Sequence, residues 1–119
     1  LPAPDEQASA EQIIAGMQAR IERAHAGGVR VWGGTLLPRT GAKGKWAQTP
    51  QAEAKRQAVN RWIRDAKAFD AVVDFDLAVR DPAQPDRLRP DFDSGDHTHP
   101  NDTGYRAMAS VIDPSLLKP

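Results

Sequence analysis

Ala26-Gly-Gly-Val-Arg-Val-Trp-Gly-Gly-Thr-Leu-Leu37 is the stretch that decides the fold class. Upstream of it, Ile13, Ile14, Met17, Ile21 and Ala24 recur at helical intervals and make one apolar stripe. Ser9 and Gln12 have the spacing of a capping box, so that helix opens at Ser9. Gly27 and Gly28 end it, as a left-handed C-cap requires. Residues 29–37 then follow at once and read as a strand. A helix running into a strand through two glycines is the return half of a β–α–β unit, whose strands are parallel.

Working outward, residues 38–49 form a loop with Gly41, Gly44 and two lysines. Arg39, Lys43, Lys45 and Trp46 lie in this loop, where they either border a substrate pocket or are simply solvated. Thr49 and Pro50 restart a helix in the N-cap and first-turn positions. Ala54, Ala58, Val59, Trp62, Ile63 and Ala66 are expected to make its buried face, with Trp32 and Trp62 in the core. Residues 71–75 read as a second short strand, residues 80–100 as a long Pro/Asp/Arg-rich loop, and 101–112 as a last helix. Tyr105, Met108, Ala109 and Ile112 share one face of that helix. Asp74 and Asp76 straddle a strand end, where carboxylates usually close loops, and His25 sits where a helix C-terminus favours a cation.

Helix, strand, helix, strand, loop, helix is the order of an α/β fold with a parallel sheet between helical layers. Two short strands are too few to bury three amphipathic helices, because parallel sheets are normally covered on both faces and have several strands. The expectation is that an upstream segment, a second chain or a symmetric partner supplies the rest.

A length of 119 residues bounds the chain to one domain. Sixteen basic and sixteen acidic residues leave no cationic surplus, which argues against a nucleic-acid or anionic-membrane partner. The hydrophobic share of 39% is that of a globular chain, while ten prolines imply much irregular surface. The absence of cysteine excludes disulfides and thiolate zinc sites and leaves the redox compartment undetermined. No apolar run approaches the ~18 residues that a bilayer span needs. The opening Leu1-Pro-Ala-Pro-Asp-Glu6 lacks the basic start and apolar core of a signal peptide.

Chemistry concentrates in Asp93-Ser-Gly-Asp-His-Thr-His-Pro-Asn-Asp102, which holds three carboxylates and two histidines just before a helix. The expected position is the C-terminal edge of the sheet, where ligand and catalytic groups of open α/β sheets gather. Asp96 and His99 are spaced so that the carboxylate can hold the imidazole through Nδ1–H, leaving Nε2 free as a general base. Pro100 pushes His99 out of the helical region. His97 reads as an exposed loop residue. Its alternative is a metal site with His99, Asp93, Asp96 and Asp102, although the spacing misses the His-x-His-x-Asp-His pattern by one residue. None of the serines looks like a nucleophile. Ser94 is on the same short turn as the base, Ser9 is a cap, and Ser110 and Ser115 lie in or after the last helix. The strained strand-to-helix turn that nucleophiles prefer is occupied by none of them.

The run from Ser94 to Ala109 resembles the last conserved block of the SGNH/GDSL hydrolases: Asp-x-x-His, then Pro-Asn, a Gly-Tyr pair and a helix. Mapped onto that block, Asp96 would be the triad aspartate and His99 the histidine base. Less specific likenesses are Val29-Arg-Val-Trp-Gly-Gly-Thr-Leu36, the helix with Arg56, Asn60 and Trp62, and Val72-Val-Asp-Phe-Asp76 followed by Arg80-Asp-Pro82. The resemblance implies a three-layer α/β/α flavodoxin-like fold, with residues 1–119 the C-terminal portion of a single SGNH domain. It also implies hydrolysis of a small-molecule carboxylic ester, either a short acyl ester or an acetylated carbohydrate, through a serine acyl-enzyme, with no cofactor. A secreted or periplasmic location is compatible with the likeness, but the compartment stays undetermined. The family's Gly-Asp-Ser block, oxyanion-hole glycine and Gly-x-Asn-Asp asparagine are not in this sequence. The serine and oxyanion donors are therefore expected on an upstream segment of the same enzyme or on a second chain, and this chain alone is expected to be inactive. Two alternatives stand beside this reading: a non-catalytic remnant that self-associates as a structural or interaction module, and a metal-dependent phosphoesterase.

Overall fold

Helix α1 (Ala10–Ala26) begins at the cap the sequence encodes: Ser9 Oγ accepts from Gln12 N at 3.1 Å, and Gln12 Oε1 accepts from Ser9 N at 2.8 Å. A computed structural model describes residues 7–118 of the chain, so the signal-peptide reading of 1–6 lies outside the described residues. Gly27 C-caps α1, and Gly28, at φ +76°, turns the chain toward the sheet. Ile21 is buried, while Ile13, Ile14, Met17 and Ala24 are half-buried, so the expected stripe faces inward.

Strands β1 (Trp32–Gly34) and β2 (Ala71–Val73) pair in parallel, with Gly33 opposite Val72. A strand of nine residues was expected at 29–37, and the ladder covers three. Its length is set by the partner. Asp70 Oδ2 accepts from Val31 N at 2.7 Å on one side, and beyond Gly34 the Asn60 side-chain amide takes both Leu36 N (2.7 Å) and Leu36 O (2.9 Å). Phe75, expected in the second strand, instead opens helix α3 (Phe75–Val79), because the Asp74 side chain accepts from Leu77 N and caps a helix there. Gly33 is required by close packing: a side chain there would overlap the Phe69 ring, which meets Trp62 edge-on at 5.9 Å.

Helix α2 (Pro50–Asp65) is capped by Thr49 Oγ1, which accepts from Ala52 N at 3.1 Å, with Pro50 in its first turn. Its buried face differs from the expected alanine-rich one. Arg56, Val59, Asn60 and Ile63 are buried, Ala54 and Ala66 are exposed, and Trp62, like Trp32, is only half-buried. The reason is a polar hub at the ends of the strands. Asp76, fully buried, accepts from Arg56 Nη1 (2.8 Å), Arg64 Nη2 (2.7 Å) and Arg80 Nη1 (2.9 Å), and its N–H donates to Thr35 Oγ1. Arg56 also donates to Glu53, Leu36 O and Pro85 O, and Arg64 to Asp74. Burying such charges is tolerable only when they are paired and fully hydrogen-bonded. Among the described residues no buried side-chain nitrogen or oxygen lacks a partner. Burial pushes the Asp74 carboxyl up, but the Arg64 guanidinium, the Leu77 amide and the Thr35 hydroxyl outweigh it and hold it below the ordinary range.

The segment expected as one long loop is pinched twice by antiparallel bridges, Arg80 with Leu88 and Asp93 with Pro100. Helix α4 (Asp102–Ser110) follows, its first turn capped by Asn101 Oδ1 accepting from Gly104 N at 2.9 Å. It is three residues shorter than expected, starting one residue later and ending two earlier, and packs through Gly104, where a Cβ would come within 2.8 Å of both Phe92 O and Pro100 Cβ. The face with Tyr105, Ala109 and Ile112 is exposed, as are Val72 and Leu77. The result is an α/β fold in which two parallel strands cover only part of the apolar surface that the helices present.

Candidate active site

Residues 93–100 form a loop closed at its base by Ser94 N donating to His99 O (3.1 Å) and Asn101 N donating to Phe92 O (2.8 Å). Thr98 shares a cleft with Leu36 and Leu37, which follow the C-terminal end of β1, so the loop lies at the expected edge of the sheet.

Asp96 organises the loop with both oxygens. Oδ1 accepts from Thr98 N and His99 N, each at 2.8 Å, and from Ser94 Oγ at 3.1 Å. Oδ2 lies 2.6 Å from His99 Nδ1, the contact that the spacing allows. The His99 amide, then the His99 ring and the Thr98 amide, hold the Asp96 carboxyl well below the usual carboxylate range. With Nδ1 engaged, the remaining ring nitrogen of the exposed His99 is Nε2. His99 borders a cleft of about 360 Å³ with Gly41, Lys43 and His97. A second, more apolar cleft of about 480 Å³ lies on the Thr98 side, walled by Ile13, Leu36, Leu37, Val59 and Arg39. Arg39 and Lys43 of the loop after β1 thus border clefts beside the site, whereas the Trp46 side chain lies outside what is described.

His97 is exposed, as read from the sequence, but it is not idle. Its Nδ1 lies 2.6 Å from Asp93 Oδ2, and its N–H donates to Asp93 Oδ1 at 3.0 Å. The loop therefore carries two carboxylate–imidazole pairs. The sequence signal for the second is the Asp93-x-x-x-His97 spacing. The four serines are placed as expected: Ser94 donates to Asp96, Ser9 caps α1, Ser110 donates to Ala107 O, and the Ser115 amide donates to Asp113. His25 does more than face a helix end, since its Nε2 lies 2.8 Å from Asp70 Oδ2 at the opposite edge of the sheet. Among the described residues no three His, Asp or Glu side chains converge as metal ligands, and no helix is long and apolar enough to cross a membrane.

The profile of the GDSL-like lipase/acylhydrolase family matches residues 1–107. The chain belongs to this family. Its fold is similar to that of a GDSL-like lipase of Bacteroides thetaiotaomicron, with a TM-score of 0.72 and 22% identity over 92% of this chain. That match covers 53% of the other protein, so the chain spans about half the length of the solved relative. No functionally curated protein matches the sequence. The GDSL-like assignment and the α/β architecture agree with what the block from Ser94 to Ala109 implied.

Proposed function

We propose that residues 1–119 are the C-terminal portion of a single GDSL-like hydrolase domain that cleaves carboxylic esters, with His99 as general base and Asp96 as its orienter. The observation that carries the reading is the 2.6 Å contact between Asp96 Oδ2 and His99 Nδ1, with His99 and Thr98 of the same loop each bordering a cleft. The carboxylate fixes the tautomer, so Nε2 is the nitrogen that accepts a proton. A serine hydroxyl supplied by an upstream segment or another chain would lose its proton to Nε2 as its oxygen bonds to the ester carbonyl carbon. The imidazolium, stabilised by Asp96, then returns that proton to the departing alkoxide, leaving an acyl-serine. Water repeats the sequence: it gives a proton to Nε2, attacks the acyl carbon, and releases the acid and the free serine. No step uses a cofactor. The substrate class is a short acyl ester or an acetylated carbohydrate.

The test is hydrolysis of 4-nitrophenyl acetate by the full-length natural protein. His99→Ala is expected to lower kcat/KM by on the order of a thousandfold or more. Turnover that survives His99→Ala, or that is abolished by a chelator, would sink the serine-hydrolase reading and favour the metal-dependent one. The 119-residue chain expressed alone should hydrolyse this ester no better than its own His99→Ala variant.

A further inference from the structure

We propose that His97 is a positioning residue for the His99 base, acting through a second, non-reacting carboxylate–imidazole pair with Asp93. The inference rests on the reading of His99 as the base. His97 is one of two non-glycine residues with positive φ among those described, at +62°. It stands directly between Asp96 and Thr98. That left-handed turn is what brings both the Thr98 and His99 amides back onto Asp96 Oδ1, each at 2.8 Å. A β-carbon makes this conformation costly for most L-residues, asparagine, aspartate and histidine adopting it more readily than the rest, so local support matters.

Asp93 supplies the support. One of its oxygens accepts the His97 amide (3.0 Å) and the Gly95 amide (2.8 Å), while the other takes the His97 ring at 2.6 Å. The Asp93 side chain is only 9% exposed, against 50% for Asp96, so the pair is rooted in the body of the protein. Its backbone is fixed by the bridge to Pro100 and by Asn101 Nδ2 donating to Asp93 O. The imidazole also lies on the loop after β1: a Cβ on Gly41 would come within 3.2 Å of His97 Cγ. His97 therefore ties the catalytic loop to the far wall of the cleft that His99 borders. Without this grip, φ relaxes to a negative value, the two amides leave Asp96, and the carboxylate loses the geometry that aims His99.

Three variants of the full-length protein separate the requirements, with circular dichroism confirming that each folds. His97→Ala has neither a ring donor nor tolerance of positive φ. His97→Gly tolerates the turn but lacks the donor, and His97→Asn tolerates the turn and carries a side-chain amide that can reach Asp93. With 4-nitrophenyl acetate, His97→Ala and His97→Gly should lose about tenfold or more in kcat with KM little changed, as expected for a misaimed base, and His97→Asn should recover most of that loss. In proton NMR spectra, the low-field Nδ1–H signal of His99 should vanish in the alanine variant and return in the asparagine one. Unchanged kcat in all three variants, equal losses in all three, or a loss confined to KM would overturn the proposal. Wild-type protein without esterase activity would remove the hydrolase reading. In that case the NMR comparison still decides whether His97 holds the Asp96–His99 pair.

Discussion

Replacing Asp96 by asparagine separates the two duties of one side chain. The oxygen that binds the Thr98 and His99 amides at 2.8 Å and the Ser94 hydroxyl at 3.1 Å can be kept by the asparagine carbonyl, so the loop retains its shape. The other oxygen, 2.6 Å from His99 Nδ1, becomes an NH₂ group. Two donors cannot face each other, so the imidazole moves its proton to Nε2 and presents Nδ1 as the acceptor. The nitrogen needed as a base is then already protonated. Loss of the correct tautomer costs on the order of 10⁴-fold in rate where a histidine serves a serine in this way. Because the contacts that hold the loop survive, the denaturation midpoint should stay close to that of the wild type. The assay is kcat/KM for an aryl ester measured beside a urea titration of the same preparations of full-length protein. A loss smaller than about tenfold would refute the orienter role, since a tautomer error alone exceeds that. A collapse of stability in step with activity would refute the division of labour between the two oxygens.

Asp76→Ala leaves three arginines facing an empty buried site. It should destabilise the protein by about 3 to 5 kcal/mol in urea unfolding, and Asp76→Asn by less because it keeps an acceptor. A loss below about 1 kcal/mol would mean that water reaches the hub. Gly104→Ala drives a methyl group to within 2.8 Å of Phe92 O and Pro100 Cβ, and should cost about 1 to 3 kcal/mol by overpacking while displacing the loop that carries His99. The folded Asp96 carboxyl titrates below its unfolded value of about 3.9. Its contribution to stability is therefore complete above that value and is lost only as pH falls through the lower folded one. The low-field His99 Nδ1–H signal should accordingly persist at about pH 4, where an ordinary aspartate is half protonated. Its disappearance there would refute the assigned hydrogen bonds.

Features encoded within a few residues were legible in the sequence. The Ser9–Gln12 capping box, the Thr49-Pro50 helix start and the Asp96–His99 contact all join residues one to three apart, and each stands where its spacing placed it. What was not legible depends on partners far along the chain. Whether Arg56 is buried turns on Asp76, twenty residues later, so a rule that keeps charge off a buried face rotated α2 the wrong way. The length of β1 is decided by Asp70 and Asn60, which no periodicity in residues 29–37 reveals. Helix α3 was hidden because Ala71-Val-Val-Asp-Phe75 reads as a continuous strand unless Asp74 is recognised as a cap. The Asp93–His97 pair was hidden for a related reason: outside a helix a spacing of four residues does not by itself bring a carboxylate to an imidazole, and here the chain turns back through positive φ at Gly95 and at His97 itself.

The hub around Asp76 also bears on how this protein diverges over evolutionary time. Arg56, Arg64 and Arg80 are balanced by Glu53, Asp74 and Asp76, so the cluster sums to zero charge, and Arg56, Arg64 and Asp76 each touch more than one other member. A single substitution creates an intermediate with an unmatched ion in the interior, and the cost of that intermediate is not additive with the cost of the second change. Such a group is inherited as a block. Relatives should carry all six residues or an uncharged replacement of the whole set, with few half-converted forms between. Reconstructed ancestors in which the six are exchanged in pairs should be more stable than those in which they are exchanged one at a time.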